Sequence, residues 1–180
     1  FVQQINYFSD TNYYFITLKN QAGKRVVSQP QAIGTTDREL TTFLDYQVHE
    51  VDLENLIMSG KEWYGEQITK EKPLFSIDFY FPHREITRPV RMEMNIVGRS
   101  ISETFYFAMN VNGQNIVPST PFMQLAIDNS AHAREVFKSN SFNTDQDHLN
   151  FEINVDAQND DSKAWLNYIR VNTWRKLIYD

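Results

Sequence analysis

Val90-Arg91-Met92-Glu93-Met94-Asn95-Ile96 alternates apolar and polar residues without a break. On a β-strand successive side chains point to opposite faces, so this run lays Val90, Met92, Met94 and Ile96 against a core and Arg91, Glu93 and Asn95 toward water. A helix would scatter the four apolar residues around its circumference. The same period appears on both sides of it. Phe75, Ile77, Phe79 and Phe81 alternate with Ser76, Asp78 and Tyr80, and Pro82, which has no N–H to give to a ladder, ends that run. Phe105, Phe107, Met109 and Val111 form a third run, closed by Asn112-Gly113, a dipeptide suited to the positive φ values of a type I′ hairpin. Further strands are expected over 13–18, 24–28, 43–53, 114–117, 134–139, 150–156 and 164–172. Helical spacing is confined to 36–40, 53–58 and 130–134, each about a turn or two. About ten short strands with little helix predict an all-β fold, an antiparallel β-sandwich of jelly-roll or immunoglobulin-like type.

Composition fits one soluble domain. The chain has 180 residues, 41% hydrophobic and 14% aromatic, with 22% charged, which is enough apolar content for a core of its own. No internal repeat or Gly/Ser linker divides it, so residues 1–180 read as a single β-sandwich domain. The first residue is Phe1, with neither an initiator Met nor a signal peptide, and the sequence reads as a region excised from a longer chain. No apolar run approaches the roughly 18 residues needed to span a bilayer. A net charge of −6 and a pI near 5.2 argue against nucleic acid as a partner, since phosphate binding calls for a basic stripe. The one basic cluster, Arg170, Arg175 and Lys176, reads as a solvated edge.

The sequence contains no cysteine, which removes disulfides, thiolate metal sites and a Cys nucleophile together. His49, His83, His132 and His148 have no metal-ligand spacing. His49 and Glu50 are neighbours on an expected strand and therefore point apart. No G-x-S-x-G elbow surrounds a serine; Glu54, Glu62 and Glu66 could supply the carboxylate pair of a glycosidase, whose mechanism depends on a separation that sequence does not show. Two Asx-rich stretches, 143–147 and 156–161, read first as turns. If an ion binds, calcium is the expected one, with Asp156, Asp160 and Asp161 as candidate ligands. No other cofactor is expected.

Alternation stops in the segment that runs from His49-Glu50 to Ser59-Gly60-Lys61-Glu62-Trp63-Tyr64-Gly65-Glu66. Two glycines bracket a pair of aromatics there. Such a loop suits recognition or docking: Trp63 and Tyr64 can anchor a neighbouring domain, stack on a sugar ring, or fold back into the core.

With His49-Glu50 and Asn55-Leu56 ahead of it, the stretch Ser59 to Glu66 resembles a motif in the amino-terminal β-rich region of the gingipain-like sortases, the C-terminal signal peptidases of the type IX secretion system in Bacteroidetes. Lys61 stands where that family carries Arg, a change that loses planar bidentate geometry. Weaker echoes run through Tyr13-Tyr14-Phe15, Gly23-Lys24-Arg25, Phe81-Pro82 and Trp165-Leu166-Asn167-Tyr168-Ile169. The resemblance implies a cell-surface, extracytoplasmic parent in which a peptidase C25 domain follows this region, removes the C-terminal signal of secreted cargo and joins the cargo to anionic lipopolysaccharide. It implies no catalytic residue here. The expected role is that of a non-catalytic accessory domain that packs against the peptidase domain or contacts cargo or secretion partners through residues 59–66. The alternative is an independent carbohydrate-binding module that stacks sugars on Trp63, Tyr64 and Tyr106.

Overall fold

The computed structural model describes residues 16–18, 20, 23–28, 39–58, 60–126 and 131–178. Nine strands form among them: β1 (Thr42–Glu50), β2 (Gln67–Thr69), β3 (Leu74–Tyr80), β4 (Val90–Arg99), β5 (Phe105–Val111), β6 (Gln114–Phe122), β7 (Arg134–Phe142), β8 (His148–Asp156) and β9 (Lys163–Lys176). They make two antiparallel sheets. One runs β1-β9-β4-β7, with β2 also paired to β9, and the other runs β3-β8-β5-β6. With β2 set aside, the first strand lies beside the last and every connection crosses from one sheet to the other except the central β5-β6 hairpin, which is jelly-roll connectivity. That decides between the two topologies the sequence leaves open.

The alternating runs behave as their period demands. Val90, Met92, Met94 and Ile96 are all buried, and they meet Phe79, Phe105, Phe107, Leu149, Phe151 and Ile153 from the facing sheet in a single apolar cluster. Phe79 and Phe151 pack edge to face at 5.3 Å, a geometry the ring quadrupoles favour. Phe122 lies 4.9 Å from both Phe105 and Phe107. Its ring fills the place where a side chain at Gly98 would stand, since a Cβ there would fall 2.2 Å from the Phe122 ring. Asn112 and Gly113 turn β5 into β6 with φ of 49° and 78°, as a type I′ hairpin requires.

Several elements differ from expectation. Of the strand expected over 13–18, Tyr13, Tyr14 and Phe15 lie outside the described residues, and 16–18 are not in a strand. Residues 24–28 form no strand either. Val26 and Val27 are adjacent and so cannot share a face, and both are exposed. Of the helical possibilities, 36–38 and Ser130 lie outside the described residues, and no helix forms among those described. Residues 53–58 instead form half of a bridged loop, with Met58 at φ 51°. β6 continues past Pro118 and Pro121 because it is the outermost strand of its sheet, where missing N–H groups leave no partner unpaired.

The basic cluster near the end is not a solvated edge. Arg170 is buried and donates to Glu93 Oε2 at 2.9 Å, while Arg175 donates to Asp45 Oδ2 at 2.9 Å and to the Pro82 carbonyl at 2.6 Å. Only Lys176 of the three is exposed.

Candidate functional site: the loop over the outer sheet

β1 and β2 pair end to end along one side of β9, and residues 51–66 are the excursion between them. The excursion is a closed hairpin-like loop. Leu53 and Glu54 amides both donate to the Tyr64 carbonyl at 2.9 Å, and the Tyr64 amide returns to the Glu54 carbonyl at 2.8 Å. Its base is tied to β9 by Gly65 N–H to the Leu166 carbonyl at 2.6 Å and Leu166 N–H to the Glu66 carbonyl at 3.0 Å. Gly65 is required by that approach: a Cβ would lie 2.9 Å from the Val51 carbonyl oxygen and 3.2 Å from that of Leu166. Gly60 serves differently, holding a left-handed φ of 72° in open space.

Side chains repeat the attachment. Trp165 on β9 is buried and donates its indole N–H to Glu54 at 2.6 Å. His49, from the inner face of β1, lies 2.9 Å from Glu66 Oε1 and packs its ring 5.7 Å from Phe75. Tyr64 is half-buried and donates its hydroxyl to Glu62 at 3.0 Å. Burial first, then the bond to Glu62 and the charges of Glu62 and Glu135, pushes the Tyr64 phenol well above its ordinary value. The loop covers one end of the outer face of the β1-β9-β4-β7 sheet and leaves a cleft of about 240 Å³ between Leu56, Ile57 and Tyr64 on one side and Val97, Ala133 and Glu135 on the other.

The three acids of the loop are thus occupied separately, Glu54 by Trp165, Glu62 by Tyr64 and Glu66 by His49. They build a scaffold rather than a carboxylate pair with space for a substrate. Sequence reading paired His49 with nothing, because its partner Glu66 lies 17 residues on, at the far end of the loop. It also passed over Arg84, which is buried and donates through Nε to Thr173 Oγ1 at 3.1 Å and through Nη1 to the Thr144 and Gln146 carbonyls at 3.2 and 2.5 Å.

The loop shows solvent large apolar side chains among its charges, which include the exposed Asp52 and Glu54. Leu53, Ile57, Met58 and Trp63 are all exposed, Met58 by 93% and Trp63 by 45%. Lys61 and Glu62 are exposed beside them, and Ser59 lies outside the described residues. Tyr106 stands on the outer face of the other sheet, on β5 next to Asp156 and Pro121. The sandwich therefore separates it from Trp63 and Tyr64.

The calcium candidates also separate. Asp161 accepts the Ile101 and Ser102 amides at 2.9 and 3.2 Å, Asp160 pairs with Lys70, and Asp156 accepts from Gln158 at 2.8 Å. Among the described residues no group of three or more His, Asp or Glu side chains is placed to hold a metal ion. The chain has no cysteine and hence no Cys nucleophile. Among the described residues no helix is long and apolar enough to cross a membrane.

By architecture the chain is a jelly-roll β-sandwich domain with a loop tied to β9 and laid over one end of an outer sheet face. Among solved structures it is similar to dimeric latent PorU from Porphyromonas gingivalis, with a TM-score of 0.63 and 20% identity over 81% of this chain and 14% of that one. Lower likeness is found to the CBM36-1 domain of a multidomain xylanase from the hindgut metagenome of Trinervitermes trinervoides, with a TM-score of 0.44 and 11% identity over 71% of this chain and 96% of that one. A family 35 carbohydrate binding module from Clostridium thermocellum follows, with a TM-score of 0.39 and 12% identity over 72% and 90%. At such identities the likeness is one of fold. No family model matches the sequence, and no curated protein matches it.

Proposed function

We propose that this chain is a non-catalytic accessory β-sandwich of a type IX secretion sortase of the gingipain-like kind, and that its 53–64 loop docks on a neighbouring domain of the same protein. The observation that carries the reading is the exposure of four apolar side chains, Ile57 and Met58 near the turn and Leu53 and Trp63 beside the bridged stem, on a loop whose base is fixed to β9 by backbone and side-chain bonds. Apolar groups exposed on a held loop are suited to an interface, because little ordering entropy is left to lose on contact. Two further points support it. The motif at residues 59–66 resembles that family, and the similar fold in PorU occupies only 14% of a much longer chain. In such a parent the peptidase domain is the first partner of the loop, cargo and secretion proteins the next, and the cell surface its location. A sugar platform of Trp63, Tyr64 and Tyr106 has less support, because the rings lie on opposite outer faces of the sandwich.

The test is Trp63→Ala in the full-length protein. Truncating a buried aromatic anchor at an interface costs on the order of 2 kcal/mol, so the variant is expected to melt earlier and to process and attach cargo less well, while the isolated 180-residue chain melts unchanged. Unaltered stability, processing and attachment in the full-length variant would contradict docking through this loop.

A further inference from the structure

The outer face of the β1-β9-β4-β7 sheet is covered by the 51–66 loop at one end only, and at the other it holds an open groove of about 420 Å³. Register builds it row by row. Asn172 on β9 pairs with Arg91 on β4, which pairs with Ser141 on β7, while Glu93 pairs with Ser139 on its other side, and Leu44 on β1 pairs with Trp174. All of these side chains leave the same face, so the groove runs across four strands, about 14 Å at the usual spacing between them. Its floor is short and polar, with serine hydroxyls and a carboxamide, and its rim is the indole of Trp174.

Charge in the groove runs against the charge of the chain. The whole protein carries −6, yet the one carboxylate lining the groove, Glu93, is already neutralised by Arg170 from within the sheet at 2.9 Å. Two cations remain. Arg88 lies over the Trp174 ring with its guanidinium carbon 4.2 Å from the ring centre and lines the groove. Arg91 is exposed on the strand next to it. Neither forms an ion pair among the described residues. Glu85, on the turn before Arg88, accepts the Thr87 hydroxyl at 2.8 Å and keeps its charge, with Lys176 and Arg88 both helping to hold its carboxyl below the ordinary value.

We infer that this groove binds an acidic oligosaccharide, its carboxylates on Arg88 and Arg91 and its hydroxyls on Ser139, Ser141 and Asn172. Peptides that bind a sheet through their backbone do so by adding a strand to an unpaired edge. Here the floor is the face of four mutually paired strands, which offers a ligand side chains alone. Short hydroxyl and amide groups over an extended floor match a ligand that is itself rich in hydroxyls, and two arginines without a direct ion pair select for one that is also anionic.

The experiment is titration calorimetry of the 180-residue chain with oligogalacturonate, with a neutral cello-oligosaccharide and hexaglutamate as comparison ligands. Saturable binding of oligogalacturonate is expected, weakened about tenfold by Arg91→Gln and by Arg88→Gln, with both comparison ligands at least about tenfold weaker and Trp63→Ala without effect. Both arginines are exposed, and thermal melting of the two variants is expected to match the parent chain. Absence of saturable binding, equal affinity for hexaglutamate or for the neutral sugar, binding indifferent to both arginine variants, or binding lost in Trp63→Ala would each overturn the assignment.

Discussion

At the scale of single residues, positions that look ordinary in the sequence carry much of the fold. Gly98 sits near the end of β4, where a glycine normally weakens a strand, and it is there because the Phe122 ring occupies the space of its missing side chain. Gly98→Ala is therefore expected to destabilise by about 1–3 kcal/mol through overpacking, measured as a lower urea midpoint with an unchanged slope. Arg84 is the opposite case, a charged residue taken out of water because two carbonyls and a hydroxyl await it. Burial outweighs the nearby charges of Asp147 and Asp145 and holds its guanidinium below the ordinary arginine value. Arg84→Met leaves those acceptors without a donor, and a loss of about 2–4 kcal/mol is expected in the same measurement. A melting curve indistinguishable from the parent would remove Arg84 from the structural account.

At the scale of elements, what is legible in a sequence is what repeats within a strand. The alternating runs at 75–81, 90–96 and 105–111 show their buried faces directly, and Asn112-Gly113 shows its turn. β2 escapes because three residues are too few to display a period, and the continuation of β6 escapes because Pro118 reads as an end unless the strand is known to lie at an edge. The partners of the 51–66 loop escape for a different reason. Trp165 and Glu54 stand 111 residues apart, and no local pattern encodes which strand a loop will meet. The two aromatics of the loop are legible, but its start is not, since the strand expected over 43–53 ends at Glu50, and neither is the outward setting of Trp63 with Tyr64 half in. Trp165→Phe removes the indole donor without emptying its site, so a loss of about 1–2 kcal/mol and faster amide exchange at Leu53, Glu54 and Tyr64 are expected. Unchanged exchange would mean that the backbone bonds alone hold the loop.

A second pair of loops gives the fold its response to acid. Glu103 accepts the Ser162 hydroxyl at 2.7 Å and the Gln158 and Asn159 amides at 2.8 and 2.9 Å, while Asp161 accepts the amides of Ile101 and Ser102. Burial alone would raise both carboxyls, but these donors outweigh it and hold each below its ordinary value. A depressed carboxylate stabilises the folded state fully above its unfolded value, about 4.3 for Glu and 3.9 for Asp, and that contribution fades as pH falls through the lower folded value. The melting temperature is thus expected to decline below about pH 4.5, with a shallower decline in Glu103→Gln. An equal acid slope in that variant would place the acid sensitivity elsewhere.

At the scale of the whole molecule, the sandwich keeps its two outer surfaces distinct. One sheet is overlaid at one end by the loop and open at the other as a groove, and the second sheet carries Tyr106 away from both. The core and jelly-roll connectivity supply a rigid frame, and function lies in what is laid upon it. The proposal that the loop is a domain contact rests on solvent exposure in this chain and cover in the larger protein, and that contrast is measurable. Hydroxyl-radical footprinting of Met58 and Trp63, read by mass spectrometry, compares the isolated 180-residue chain with the full-length protein. The account predicts rapid oxidation of both residues in the isolated chain and protection of both in the full-length protein; equal oxidation in the two would contradict it.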